Sequence, residues 1–521
     1  DIDNGRKEAL FFTLLNSRVL MRIIEAVCAD FGVDLSEGIK HIDFDITNKA
    51  FISLFKSVSG KESYNEAEII ENEICNLADS VLINYDFPTV NELLLWNVIE
   101  RGTILYKQKP INKKLLIMLD DIQDLSPKQR ILISKLLQGV FPTARWIAER
   151  YQDLRPEDII EPGANEGREY KIHRLEHWAS QSKAKFQKGL VDIASKRVRM
   201  SGIVDVSSFE VLLETVENKT TYESKYCLAV DTIYSRINSN SQYGFNDWIN
   251  KTINMEGNLF EKAVALRELE ILIERKKRRE NTLFPEIEFP VLEMDKMSST
   301  SVQNAAKLFI SKEFKIPYYF GIDILKTLSS WNIEQFLNIC GNLFSEIMAA
   351  ATLRKSKQPI LAAMRQQAII KDIAKKRLDE MPIRITNGSQ IKNLVLNLAN
   401  LCQKLTYAPN APYAPGVTGF AIGSSDWDNL CSSSFLEKKP RLKNLAYVLR
   451  DAIAYNILEV RMPVFCKHHE WVVLYLNRLY CANYWLPLDY GGFKEQKLDL
   501  LLQWLEAPTE GITKEGLFKD A

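Results

Sequence analysis

The chain has 521 residues, enough for two to four domains. At 46% hydrophobic and 26% charged residues it has the composition of an ordinary soluble protein able to bury sizeable cores. Its 67 basic and 67 acidic residues cancel, so bulk charge names no partner and any nucleic-acid surface has to be a local patch. In chain order, Phe12, Leu15, Val19, Ile23 and Val27 recur at helical spacing and predict a long amphipathic opening helix. Residues 91–101 predict a second helix, stopped at Gly102. Both precede an apolar run, Leu115 to Leu119, and are expected to pack on its sheet.

That run ends abruptly in two carboxylates, Asp120 and Asp121. Five consecutive apolar residues suit a strand covered on both faces, as in a parallel α/β sheet. Carboxylates at the C-terminal end of such a strand lie at the edge where ligands bind. Ser126 is a good N-cap, Pro127 suits the first helical turn, Gln129 completes a capping box, and Gly139 is placed to stop the helix. Residues 141–148 read as the next strand, and 167–173 as another, with Tyr170 and Ile172 on one face. Strand, helix, strand, strand is the second half of a P-loop core. An apolar strand ending in paired carboxylates is there the Walker B element, which holds Mg²⁺ and polarises the attacking water. The bland alternative is a buried strand that ends at an Asp-Asp turn; the ordered context weighs against it. No G-x-x-x-x-G-K-S/T stretch occurs in the sequence.

Beyond Leu175 the pattern turns helical. Residues 177–200 carry Lys183, Lys185, Lys188, Lys196, Arg197 and Arg199. Residues 205–284 read as a helical insertion closing on the basic run 275–279, and 285–300 as a looser linker. A helical module spans 302–346, its second helix capped by Ser329 or Ser330, and a long helix follows over 358–380. Toward the end lie two Pro/Gly-rich loops, 408–419 and 487–492, and a segment, 471–478, that reads as strand or helix. Helices plus a small hairpin, as in a winged-helix module, are the favoured reading. The expected fold is an α/β P-loop NTPase core with a parallel sheet (1–178), then a helical lid start and insertion (179–300), a helical lid module (301–356) and a C-terminal helical, winged-helix-like domain (357–521).

The eight cysteines are scattered without CxxC pairs, which fits a reducing cytosol better than a disulfide framework. No signal peptide stands at the start and no apolar run reads as long enough to span a membrane, so a cytoplasmic protein without a membrane partner is expected. His173 to His177 spell H-x-x-E-H, but that zinc motif needs a helix and His173 ends a predicted strand, so chance is the better account. Cys466, His468, His469 and Cys481 offer four zinc ligands at irregular spacing; an exposed turn explains them as well. Basic clusters at 183–199, 275–279, 354–377 and 438–443 (Lys438, Lys439, Arg441 and Lys443) are by default solvated faces. The last becomes the DNA candidate if the C-terminal part is winged-helix. Tyr475, Tyr480, Tyr484, Trp485 and Tyr490 read as module core, and 416–419 as a turn.

Several stretches together resemble a bacterial family of origin-recognition-like (ORC-type) AAA+/STAND ATPases: residues 9–19, 116–121, 167–170, 329–336, 471–478 and 486–492. The resemblance covers almost the whole chain. It implies ATP or ADP with Mg²⁺ as cofactors. Asp120 would be the carboxylate that reaches the metal through water, and Asp121 the residue that polarises the hydrolytic water. Glu is common at that second position; Asp is one methylene shorter, which fits slow turnover or a switch. The strand at 144–148 corresponds to a sensor strand whose end carries Glu149 and Arg150 in place of Asn or Thr, with Arg150 a candidate phosphate-reading residue. The lid helix carries Glu334 and Gln335 where an Arg is usual. In such proteins the Walker A loop lies upstream of the helix that begins here at about Arg6, and Asp1 in place of Met gives the same expectation of an N-terminal part that precedes it. Many members resemble components of bacterial anti-phage and conflict systems, in which a nucleotide switch controls an effector protein, a second copy or a DNA complex. Two rivals stand beside an ATPase: an inactive scaffold that kept the fold, and an initiator-like DNA-binding protein.

Overall fold

The computed structural model describes residues 4–79, 87–122, 125–135, 143–148, 171, 173, 182–202, 208–215, 222–240, 244–279, 289–354, 360–466 and 468–508. The chain divides into two compact units, Asp1–His173 and Arg174–Ala521.

The first unit opens on helix α1 (Asn4–Asp30), as its periodicity requires. Phe12, Leu20, Ile23, Ile24 and Val27 are buried along one stripe. Then come strand β1 (Ile42–Phe44), α2 (Lys49–Phe55), α3 (Gly60–Asp79), which packs on α1, and the short α4 (Leu94–Val98). Asn16, fully buried on α1, donates to the carbonyls of Phe12 and Glu92 and accepts from the Leu95 amide, so it fastens the entry to α4. The helix expected over 91–101 is thus cut to five residues. Leu94, Leu95 and Trp96 are consecutive and all buried, which no one-faced surface helix allows, and Ile99 turns extended. Strands β2 (Ile104–Tyr106) and β3 (Lys109–Pro110) complete an antiparallel sheet with β1.

Strand β4 (Leu116–Leu119), helix α5 (Pro127–Lys135) and strand β5 (Ala144–Ile147) follow in the expected order. β4 and β5 pair in parallel, from Leu116 opposite Ala144 to Leu119 opposite Ile147. The capping box is real: the Ser126 amide donates to Gln129 Oε1 at 2.9 Å and the Gln129 amide to Ser126 Oγ at 3.4 Å. Cover on both faces of β4 is not found among the described residues; Ile117 is buried while Leu116 and Met118 are exposed. Gly139 and most of the strand expected over 167–173 lie outside the described residues.

The second unit begins with α6 (Lys183–Ser201), closed by Gly202 in the left-handed region at φ 62°. Helices α7 (Glu223–Asn240), α8 (Asn246–Ile253) and α9 (Leu259–Arg279) lie within residues 205–284 and pack around Ile233, Trp248, Leu269 and Leu272. The linker expected over 285–300 contains a helix instead, α10 (Val291–Met297), with Pro290 at its N-cap, where a fixed φ favours helix entry. Ser299 then caps α11 (Thr300–Glu313). After α12 (Ile322–Leu328), helix α13 (Ile333–Arg354) is capped by Asn332, whose side-chain oxygen accepts from the Gln335 amide at 2.9 Å. Neither Ser329 nor Ser330 does this, because Ser330 and Trp331 turn left-handed (φ 47° and 64°) and the Ser330 hydroxyl accepts instead from the Arg478 amide. Contrary to the reading of the sequence, Ile333–Leu353 is long and apolar enough to cross a membrane by length and composition. One of its faces lines the core with Phe336, Ile339, Leu343 and Ile347.

Two long helices, α14 (Ala363–Arg384) and α15 (Gly388–Thr406), lead into strand β6 (Val417–Gly423), α16 (Ser424–Cys431), α17 (Ser433–Glu437), α18 (Pro440–Ala454) and the hairpin β7 (Leu458–Cys466) and β8 (His469–Leu476). α19 (Arg478–Asn483), β9 (Gly492–Glu495) and α20 (Leu498–Glu506) close the unit. The sheet runs β7-β8-β6-β9, antiparallel except for the β6/β9 pair. Residues 471–478 therefore resolve as mostly strand. Residues 416–419 are not a free turn: β6 starts at Val417, and Gly419 is required because a Cβ there would lie 2.6 Å from the Leu474 carbonyl oxygen. Tyr475 and Tyr480 are core, as expected, while Tyr484, Trp485 and Tyr490 are half-buried.

Candidate functional site

At the end of β4 two backbone hydrogen bonds fix the chain to β5: the Ala148 amide donates to the Leu119 carbonyl at 2.8 Å, and the Ile122 amide to the Ala148 carbonyl at 3.4 Å. Between them Asp120 and Asp121 bulge outward, both exposed. Asp121 sits in the left-handed region at φ 53°, a conformation that Asp tolerates better than most residues. Its amide donates to Asp120 Oδ1 at 2.9 Å, which fixes the Asp120 carboxylate against the turn. Ile122 is buried behind it and accepts at its carbonyl from the Leu125 amide, leading into the capped α5. The sequence thus aims two carboxylates outward at the C-terminal edge of a parallel strand pair.

A cleft of about 690 Å³ opens at this edge. Its walls include Leu15, Arg18 and Arg22 from α1 and Gln129 from α5, and Asp120 and Asp121 lie in it. Arg18 Nε donates to Glu71 at 2.7 Å, and the Arg22 guanidinium pairs with Glu25 at 2.5 Å, which raises its pKa above the ordinary value. The sequence reading passed over both arginines. Their i, i+4 spacing on the face of α1 that also carries Leu15 was the available signal.

Glu149 and Arg150 lie outside the described residues. In the second unit Glu334 is exposed, whereas Gln335 is buried in a polar knot. Gln335 Nε2 donates to the Leu328 carbonyl at 2.5 Å and to Asn477 Oδ1 at 3.0 Å, while its Oε1 accepts from Arg377 at 3.1 Å. Gln335 is therefore a structural tie, with Arg377 arriving from α14.

Lys438, Lys439, Arg441 and Lys443 come together, all exposed, around the N-terminal end of α18. Lys439 lies 4.8 Å from the Phe435 ring centroid, Lys443 6.0 Å from that of Tyr447, and Arg441 makes a 3.7 Å pair with exposed Glu506. The 275–279 cluster is partly consumed by structure: Arg275 donates to the Asn410 and Ala411 carbonyls, and buried Lys276 pairs with Glu293 at 2.6 Å. The zinc sets do not assemble. Cys466 and His469 face each other at the exposed hairpin tip, whereas Cys481 is buried, its thiol pushed up to about 12 by burial. His173 is exposed, and His177 lies outside the described residues. No group of three His, Cys, Asp or Glu able to hold a metal occurs among the described residues.

A family model described as ORC-CDC6-like matches residues 3–492. Comparison with curated proteins and with solved structures gives no match. The match includes the carboxylate turn, the cleft and every element through α19, so the chain belongs to the ORC-CDC6-like family, a family of AAA+ ATPase or initiator-like proteins that bind nucleotide.

Proposed function

We propose that the first unit binds ATP with Mg²⁺ and hydrolyses it slowly to ADP and phosphate, as a switch. The observation that carries this reading is the exposed Asp120-Asp121 turn, pinned to β5 and opening on the 690 Å³ cleft. Hard carboxylate oxygens suit Mg²⁺, which keeps much of its water shell. Asp120, fixed by the Asp121 amide, is the residue that would hold that shell. When bound, Mg²⁺ supplies charge neutralisation at the phosphates. Asp121 orients the attacking water and accepts its hydrogen bond. Leu15 supplies an apolar wall and Arg18 and Arg22 supply positive charge beside the carboxylates. In the protein as the cell makes it, Asp121→Asn is expected to bind ATP and lose turnover; unchanged phosphate release would remove Asp121 from the chemistry.

The switch would act on an effector protein, a second copy or a DNA complex, in an anti-phage or conflict system; the family resemblance supports this. A specific observation favours DNA as a further partner. The order α15, β6, α16–α17, α18, β7, β8, with β8 between β7 and β6, supports a winged-helix reading in which α18 would be the recognition helix. Lys438, Lys439, Arg441 and Lys443 lie at the start of that helix, and Arg461, Met462 and Phe465 are exposed on the hairpin that would be the wing. An inactive scaffold is the remaining alternative, supported by the shorter carboxylate at Asp121 and by Glu334 and Gln335 where a lid Arg is usual. ATP turnover separates the two.

A further inference from the structure

Helix α6 is divided lengthwise between core and charge. Its inner face is spent on packing: Leu190, Ala194 and Val198 are buried in the core of the second unit, where α6 meets α12 and α13. The Ser195 hydroxyl accepts from the Phe209 amide at 3.1 Å and fixes the helix further. On the opposite side Lys185, Lys188, Asp192 and Lys196 fall within about 80° of arc, at about 100° per residue. All four are exposed, as are Lys183 in the first turn and Arg197 beside the stripe. Five cations (Lys183, Lys185, Lys188, Lys196 and Arg197) make no ion pair with the described residues. Asp192 is the only acid of the helix, so five minus one leaves a surplus of four positive charges without counting Arg199. Like charges three or four residues apart destabilise a helix, so a polyanion that neutralises them is favoured.

The rest of the helix decides which polyanion. An anionic bilayer takes up a helix through its apolar face, and that of α6 is already in the core; Ile193 and Met200 are its exposed apolar side chains. Protein interfaces are depleted in Lys and enriched in aromatic rings, whereas this stripe carries three lysines and no ring. Single-stranded nucleic acid stacks its bases on rings, and Phe186, the one aromatic residue of α6, is half-buried 5.7 Å from Trp331. The backbone of duplex DNA asks only for a rigid row of cations. From Lys185 to Lys196 the row runs about 16 Å, at 1.5 Å per residue. Over that length one strand of a duplex presents about five phosphates.

We infer that the Lys185–Lys188–Lys196 stripe of α6 is a surface for duplex DNA that tracks the phosphate backbone without reading sequence. It rests on DNA being a partner, as proposed above, but not on α18 being a recognition helix, and the two surfaces share no residue.

Fluorescence anisotropy of the whole protein with a labelled duplex of random sequence, over a salt series, tests this. The Lys185→Gln/Lys188→Gln/Lys196→Gln variant is expected to lose about 2.7 units from the slope of log affinity against log salt, about 0.9 for each lysine. Its Tm should not fall, since all three side chains are exposed. Lys61→Gln, at an exposed position of the first unit, should leave the slope unchanged. An unchanged slope in the triple variant, or an equal loss per charge in Lys61→Gln, overturns the α6 surface while leaving DNA as a partner. No salt-dependent binding by the natural protein overturns both. A slope lost for single strands but kept for the duplex, or lost binding to phosphatidylglycerol vesicles with the duplex slope kept, overturns it in favour of another polyanion. As a second measurement, duplex DNA should slow acetylation of Lys185, Lys188 and Lys196 in the natural protein and not that of Lys61; equal labelling with and without DNA would also overturn it.

Discussion

The two units support their strands by different means. In the second unit β6 and β8 are enclosed, with Phe420, Ile422, Leu474 and Leu476 each 0% exposed. Helices α15, α18 and α20 pack around them. In the first unit β4 and β5 leave Leu116, Met118 and Trp146 at 47%, 63% and 47% exposed. There the carboxylate turn is held by backbone hydrogen bonds to β5, by the Ser126–Gln129 box and by the buried Ile117 and Ile122 before and after it. The second unit's sheet is therefore enclosed by packing, whereas the first unit's strand pair is packed on one side and its two carboxylates project from a hydrogen-bonded turn. Substitutions near Asp121 should change chemistry more than stability, and those in the β6–β8 sheet should do the reverse.

The largest expected effect follows from that contrast. Asp121→Asn should cut ATP turnover by about a hundredfold or more, the usual scale for losing a group that handles the attacking water. Its Tm should stay where it was, since the side chain is exposed. A Tm drop matching the lost activity would show that the turn is packed after all. Next, Leu474→Ala should cost about 2–5 kcal/mol in denaturant unfolding, and half-exposed Leu116→Ala under about 1 kcal/mol. Equal costs would mean that β4 is covered and the contrast false.

A smaller effect concerns the surface that the second unit presents. Arg441→Ala and Lys443→Ala should each weaken DNA binding uniformly across sequences and flatten its salt dependence by about one unit of slope. Filter binding over a salt series reads this directly, and no salt-dependent binding by the natural protein would discard the DNA reading.

The smallest is a pH effect at Lys312 and Lys371. Their folded pKa values of about 8 lie below the ordinary 10.5, so between these values the unfolded chain holds more protons. Stability from this source therefore rises as pH goes from 8 toward 10.5 and is lowest below 8. Thermal melts should show the Lys312→Met/Lys371→Met variant gaining most at neutral pH and converging on the natural protein near pH 10; a constant gap would contradict burial as the cause.

What was legible in the sequence was local or strictly periodic. The capping box needs only Ser126 and Gln129, three residues apart, and α1 carries its stripe over 27 residues. The strand pair around α5 followed from an apolar run and its punctuation. What was illegible depends on distant partners. Helix α4 is short because Asn16, far away in the chain, holds its entry. Gly419 looked like a turn residue, but it is small because the Leu474 carbonyl passes beside it. Asn332 displaced the serines as a cap because the Ser330 hydroxyl serves Arg478. Among the basic clusters, periodicity could not separate Lys276, which is buried and paired, from Lys443, which is exposed.

The left-handed backbone of Asp121 also bears on how this position can drift in evolution. At φ 53° Asp, Asn and Gly are accommodated readily, whereas the longer Glu gains no local support there. The turn itself thus accounts for the shorter carboxylate at this position. A lineage that loses the carboxylate should pass most easily through Asn or Gly, keeping the turn. A lineage that acquires Glu should first have reshaped the backbone between Leu119 and Ile122. If the proposed role of Asp121 holds, relatives sorted by the residue at this one position should separate into hydrolysing and non-hydrolysing proteins.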